Sequence, residues 1–162
     1  LDIHAQWVAM EKTGQWRFTP PTHVVAAFLE ALKAHAAEGG VAARGARYAE
    51  NRDALVAGMR ELGFVTLLQD AWLSPIITTF FCPEHPAFDF PRFYDLMKAR
   101  GFILYPGKLT RAESFRIGHI GQVDAGVMRA VVANVKEVLV EMGVDSAAPS
   151  ADSLAERQAE MA

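Results

Sequence analysis

At 162 residues, 51% hydrophobic and 22% charged, the chain has the composition of one globular domain with a sizeable core, which excludes a disordered segment. Its net charge of −3, with the basic residues scattered, argues against nucleic acid as a main partner, because phosphate-backbone binding needs a basic face. No apolar stretch approaches the roughly 18–20 residues of a membrane span, no signal peptide is visible, and one cysteine cannot form an internal disulfide, so the expectation is a cytoplasmic protein with no membrane partner.

Residues 1–12 read as a short amphipathic helix, with Leu1, Ala5 and Val8 on one face, and Gly14 ends it. Trp16-Arg17-Phe18-Thr19-Pro20-Pro21-Thr22-His23 follows as an extended connector. Thr19 before Pro20 suits an N-cap and first-turn pair, which predicts a helix over about 21–38 carrying Val24, Val25, Phe28, Leu29 and Leu32. A third helix spans roughly 41–62, with Tyr48, Leu55, Met59 and Leu62 as its buried stripe.

The period then changes. Runs 64–68 and 76–82 are apolar and partly β-branched, and read as strands. Cys82 lies in the second, so a core thiol is expected rather than a nucleophile. Pro91 opens another helix, and 102–105 and 114–117 are two more short strands. A last helix begins near Asp124, with Val127, Val131, Val135, Val138 and Met142 at helical spacing. Helices followed by β-β-α-β-β-α predict an α+β fold: a two-layer sandwich whose mainly antiparallel sheet of about four short strands carries helices on one face. The tail, 145–162, is rich in Ala, Ser and acids and is expected to be loose or a frayed helix. The first residues are apolar and are not preceded by Met, so a fragment of a longer protein is expected.

One charge stands out. Arg116 sits in Ser114-Phe115-Arg116-Ile117-Gly118-His119-Ile120-Gly121, where a half-buried strand ends and the backbone opens. A guanidinium there is either a structural partner of one of the chain's own acids or a fork aimed at an anionic ligand. No glycine-rich nucleotide loop accompanies it, the five histidines lack metal-ligand spacing, and no Ser/His/Asp set can be picked out. The chain therefore holds no self-contained catalytic set.

The segments Trp16–His23 and Ser114–Gly121, together with Gly39-Gly40-Val41-Ala42-Ala43-Arg44, Ser74-Pro75-Ile76-Ile77-Thr78 and Gly101-Phe102-Ile103-Leu104-Tyr105-Pro106-Gly107-Lys108, resemble the 2-aminoethylphosphonate–pyruvate aminotransferases. These are class V, fold-type I enzymes that use pyridoxal 5'-phosphate. The resemblance runs from residue 1 to about 144, and the Tyr-Pro-Gly-Lys element points to the phosphonate branch. It implies a linker helix and connector over 1–23 and the C-terminal small domain over 24–144; the flexible tail, 145–162, lies outside it. It implies transfer of the amino group of 2-aminoethylphosphonate to pyruvate, giving phosphonoacetaldehyde and alanine, in a homodimer. It also implies that the Schiff-base lysine lies upstream, so that none of this chain's residues is that catalytic group and the fragment alone is inactive.

The resemblance assigns Arg116 to the substrate anion and Thr19 to the cofactor phosphate of the partner subunit. Trp16, Arg17, Lys108 and His119 are further candidates, each with a plain alternative. Trp16 and His119 could simply pack, and Arg17 and Lys108 could be solvated surface cations. No metal site is expected. A second reading, from another class, is a non-catalytic remnant or stand-alone module that binds a small anionic metabolite.

Overall fold

The computed structural model describes residues 2–107 and 112–160. The chain divides into two compact units, Leu1–Ala42 and Ala43–Ala162. The first holds α1 (Ile3–Thr13) and α2 (Thr22–Ala37). Asp2 caps α1, accepting the Ala5 N–H at 2.9 Å. The connector after α1 is tied back to it, because the Arg17 N–H donates to Gln6 Oε1 at 3.1 Å.

The second unit is built on α3 (Gly40–Glu61, whose first residues belong to the other unit), β1 (Ile77–Phe81), α4 (Phe90–Ala99), β2 (Tyr105–Pro106), β3 (Ser114–Gly118), α5 (Ala125–Met142) and α6 (Ala151–Glu160). The three strands form an antiparallel sheet in the order β1-β3-β2, so β3 is central. The predicted strand at 64–68 contributes a bridge, Thr66 to Phe80, along the free edge of β1. Its amides and carbonyls make two bonds there, Leu67 N–H to Thr79 O and Phe81 N–H to Val65 O. It is a rudiment of the expected fourth strand.

Strand alternation puts Phe115 and Ile117 of β3 on the core face. Phe115 is the hub of that core, in ring contact with Phe64, Phe80, Phe90 and Phe93. Leu55, Val56 and Met59 of α3, Met97 of α4, and Met128, Val131, Val135, Val138 and Met142 of α5 close over it. Each such side chain contributes about 1.5–3 kcal/mol by leaving water. At Gly58 of α3 a Cβ would lie 2.8 Å from both Val132 methyls of α5, so the missing side chain leaves room for that contact. Cys82 belongs to the same core, and burial pushes its thiol up to about 12, so it stays protonated and inert.

The first residues of the tail pack on the rest of the unit. Ala147 is 1% exposed, the Glu84 N–H donates to Ala148 O at 2.9 Å, and His85 Nε2 lies 3.1 Å from Asp145 Oδ1. Small alanines let 144–148 seat on the core, and α6 follows. Among the described residues no helix is long and apolar enough to cross a membrane.

Candidate functional site

On the face of the sheet opposite Phe115, β3 presents Arg116. Its cross-strand partners are Thr79 of β1 and Tyr105 of β2, so the guanidinium rises from the middle of a three-residue row. Its Nη2 donates to the Pro106 carbonyl at 3.1 Å. Its Nε is sealed from solvent and has no hydrogen-bond partner. No described acid pairs with it, whereas Arg52, Arg60 and Arg100 pair with Asp53, Asp70 and Glu141. Of the two readings of Arg116, the internal ion pair is not the one the described residues realise. A half-buried cation without a counter-ion is costly, and an incoming anion would relieve that cost.

The carbonyl that steadies Arg116 is itself fixed by a close approach. The Gly107 N–H donates to Ser114 O at 2.7 Å. A Cβ at Gly107 would overlap Ser114 Oγ and lie 2.8 Å from the Ser114 carbonyl oxygen. Only glycine lets the backbone at 107 lie this close to β3, and that approach keeps Pro106 O within reach of the guanidinium. Lys108, another candidate, lies outside the described residues.

His119, three residues after Arg116, is fully buried and makes no hydrogen bond to it. Its N–H donates to Ile76 O at 3.0 Å, its carbonyl accepts from Asn51 Nδ2 at 3.2 Å, and its Nε2 shares a 3.0 Å hydrogen bond with Thr78 Oγ1. Burial holds its pKa below the ordinary 6.5, against an opposing contribution from the Pro75 carbonyl. It is a clasp between β1 and the exit of β3. Asn51 and Arg47, one turn apart on α3, complete the clasp by donating to Val123 O, and Arg47 also donates to Gly121 O. Asp124 Oδ1 then caps α5 by accepting the Val127 N–H. Sequence reasoning missed Asn51 and Arg47. The available signal was the gap between Tyr48 and Leu55 in the α3 stripe, which the polar Asn51 fills.

The remaining candidates belong to the first unit. Thr19 is exposed and does not cap α2, because Pro21 holds the N-cap position and offers no side-chain bond. The correction follows from the two prolines. Each disfavours helical backbone in the residue before it, so the helix starts only after Pro21. The Thr19 hydroxyl has no hydrogen-bond partner among the described residues. Arg17 lays its guanidinium over the Phe18 ring, 5.4 Å from the centroid, and Trp16 is exposed. The structure thus groups Thr19, Arg17 and Trp16 on one connector, and places Arg116 on β3 with His119 just past its end.

A shallow groove of about 580 Å³ lined by Arg47, Glu50, Asp124 and Arg129 balances two cations with two acids, so it does not select an anion. Among the described residues no group of His, Cys, Asp and Glu could hold a metal ion.

No family model matches the chain. It is 71% identical over 157 residues to the 2-aminoethylphosphonate–pyruvate transaminase of Rhizobium meliloti (strain 1021), covering 97% of the chain and 41% of that protein. It is 62% identical over 158 residues to 2-aminoethylphosphonate–pyruvate transaminase 1 of Paraburkholderia xenovorans (strain LB400), covering 98% of the chain and 41% of the relative. The chain thus spans about two-fifths of the length of these relatives. Among solved structures it resembles the ureidoglycine–glyoxylate aminotransferase of Bacillus subtilis, with a TM-score of 0.69 at 19% identity over 96% of the chain and 40% of the other. It also resembles the subgroup IV aspartate aminotransferase of Thermus thermophilus, with a TM-score of 0.63 at 22% identity over 86% of the chain and 38% of the other. The fold is that of the matching part of these aminotransferases.

Proposed function

We infer that this chain is the C-terminal part of a 2-aminoethylphosphonate–pyruvate transaminase, and that its task is to hold the anionic end of each substrate. The observation that carries the reading is Arg116, a half-buried guanidinium on the central strand with no acid of its own among the described residues. Its planar fork suits a phosphonate in one half-reaction and a carboxylate in the other. Serving both anions in turn from one side chain keeps the two substrates in one orientation, which is the protein's share of the work in a cofactor enzyme.

Pyridoxal 5'-phosphate, when bound, supplies the electron sink that transamination needs. Thr19 fits its phosphate group. The hydroxyl is exposed and unpartnered among the described residues, and it stands just ahead of α2, whose N-terminus favours an anion. Pro20 and Pro21 bring no N–H to that end, so the hydroxyl carries more of the contact. In a cytoplasmic homodimer, Thr19 would serve the partner subunit's cofactor, with Arg17 and Trp16 beside it. Lys12, Lys33, Lys98 and Lys136 are all exposed, and none has the desolvated surroundings that tune a lysine for covalent chemistry. That group would come from the length of the relatives that this chain does not span.

The test is Arg116→Gln in the complete protein containing this segment. Losing two charge-assisted hydrogen bonds should lower kcat/KM for 2-aminoethylphosphonate by about 100-fold or more, with Arg116→Lys intermediate. Unchanged kcat/KM in both variants would reject the assignment.

A further inference from the structure

We propose that Thr79 and Tyr105 make this clamp prefer a tetrahedral phosphonate to a planar carboxylate. The proposal rests on the reading of Arg116 given above.

The three residues stand at one level of the sheet, Thr79 on β1, Arg116 on β3 and Tyr105 on β2. Cross-strand partners share a face, with Cβ atoms about 4.5–5.5 Å apart. Two hydroxyl-bearing residues therefore flank Arg116 on the sheet, one from each side. Tyr105 is 54% exposed and Thr79 is half-buried, and among the described residues neither hydroxyl has a hydrogen-bond partner. The neighbouring Thr78 makes the contrast. It points to the core face, and there its hydroxyl is held by His119.

Arg116 cannot serve three oxygens by itself. Its Nε is sealed from solvent, so the anion must meet the Nη1/Nη2 edge, and Nη2 already gives one hydrogen to Pro106 O. A carboxylate brings two oxygens in one plane and is satisfied by that edge. A phosphonate brings three at tetrahedral angles. With two of them on the guanidinium edge, the third leaves its plane and falls toward a flanking strand. A hydroxyl on either side meets it whichever way the group turns. The hydroxyls thus add contacts that only the phosphonate can use, which is how a site separates two ligands sharing one anchor.

The experiment compares kcat/KM for 2-aminoethylphosphonate and for pyruvate in the complete protein, which report the two half-reactions separately. The double variant Thr79→Val, Tyr105→Phe should lower the phosphonate value by about tenfold or more, the scale of one lost hydrogen bond to a charged group, and leave the pyruvate value within about twofold. Thr79→Ser in the Tyr105→Phe background should recover part of the loss. The melting temperature of each variant is measured alongside, to separate this effect from a general loosening of the sheet. An unchanged phosphonate value, or an equal fall in both, overturns the proposal. If Arg116→Gln leaves both values unchanged, it is the underlying reading that fails.

Discussion

A half-buried guanidinium with, among the described residues, a single carbonyl as its partner is a demanding side chain to keep in place, and the residues around Arg116 show how that is done. Gly107 is one of them. Gly107→Ala would push the turn off Ser114, and overpacking of this kind costs about 1–3 kcal/mol. Because Pro106 O moves with the turn, denaturant melts should show the lost stability and kinetics a weakened hold on both substrates. A variant with normal stability and normal kcat/KM would show that the turn does not set the clamp. His119 makes a separate prediction. Its folded pKa lies below 6.5, so the unfolded chain takes up a proton first as pH falls. Its share of stability is fully present above the unfolded value and is lost as pH drops from about 6.5 toward the lower folded value. Melting temperatures across that window should fall for the wild type, and the part due to His119 should vanish in His119→Phe. Arg116 could be singled out from sequence because a charge between apolar neighbours breaks a pattern. Gly107 and Asn51 could not be read that way, since what they do depends on Ser114 and residues 119–123 coming within reach.

At the level of single elements, the amphipathic helices were the legible part. The α5 stripe from Val131 onward and its Asp124 cap follow from spacing and residue type alone, and so do α3 and α4; Val127, expected on the stripe, is exposed, and Met128 takes the buried place in that turn. The start of α2 differs from the expectation because two consecutive prolines outweigh a favourable cap residue at 19. The run 64–68 looked like a full strand because its composition is that of one, yet it pairs with β1 only through a bridge. Helix α2 leads to another expectation. None of its residues is buried, and Val24, Val25, Phe28, Leu29 and Leu32 are exposed, Phe28 by 62%. An apolar surface of this kind seldom stays bare. The 162-residue chain on its own should therefore self-associate, and Phe28→Glu with Leu32→Lys should reduce that. A monodisperse wild-type monomer by light scattering would rule it out.

Over the whole chain, the α+β class and the family likeness were readable because periodicity and motif order survive in one dimension. The division into Leu1–Ala42 and Ala43–Ala162 was not, since compactness is a property of contacts. The two candidate groups fall on opposite sides of that division, Thr19 in the first unit and Arg116 in the second.

Phe115 and Arg116 are consecutive residues on the central strand, one the hub of the aromatic core and the other the anion clamp. The clamp's backbone cannot drift without dragging the core along, so selection has little freedom to relocate it. At Thr79 and Tyr105 the side chains face away from that core and can change without touching it, even though Thr79 is followed by the buried Phe80. A lineage adapting to a new amino donor would then be expected to keep the arginine and rewrite its two neighbours, changing taste without risking collapse.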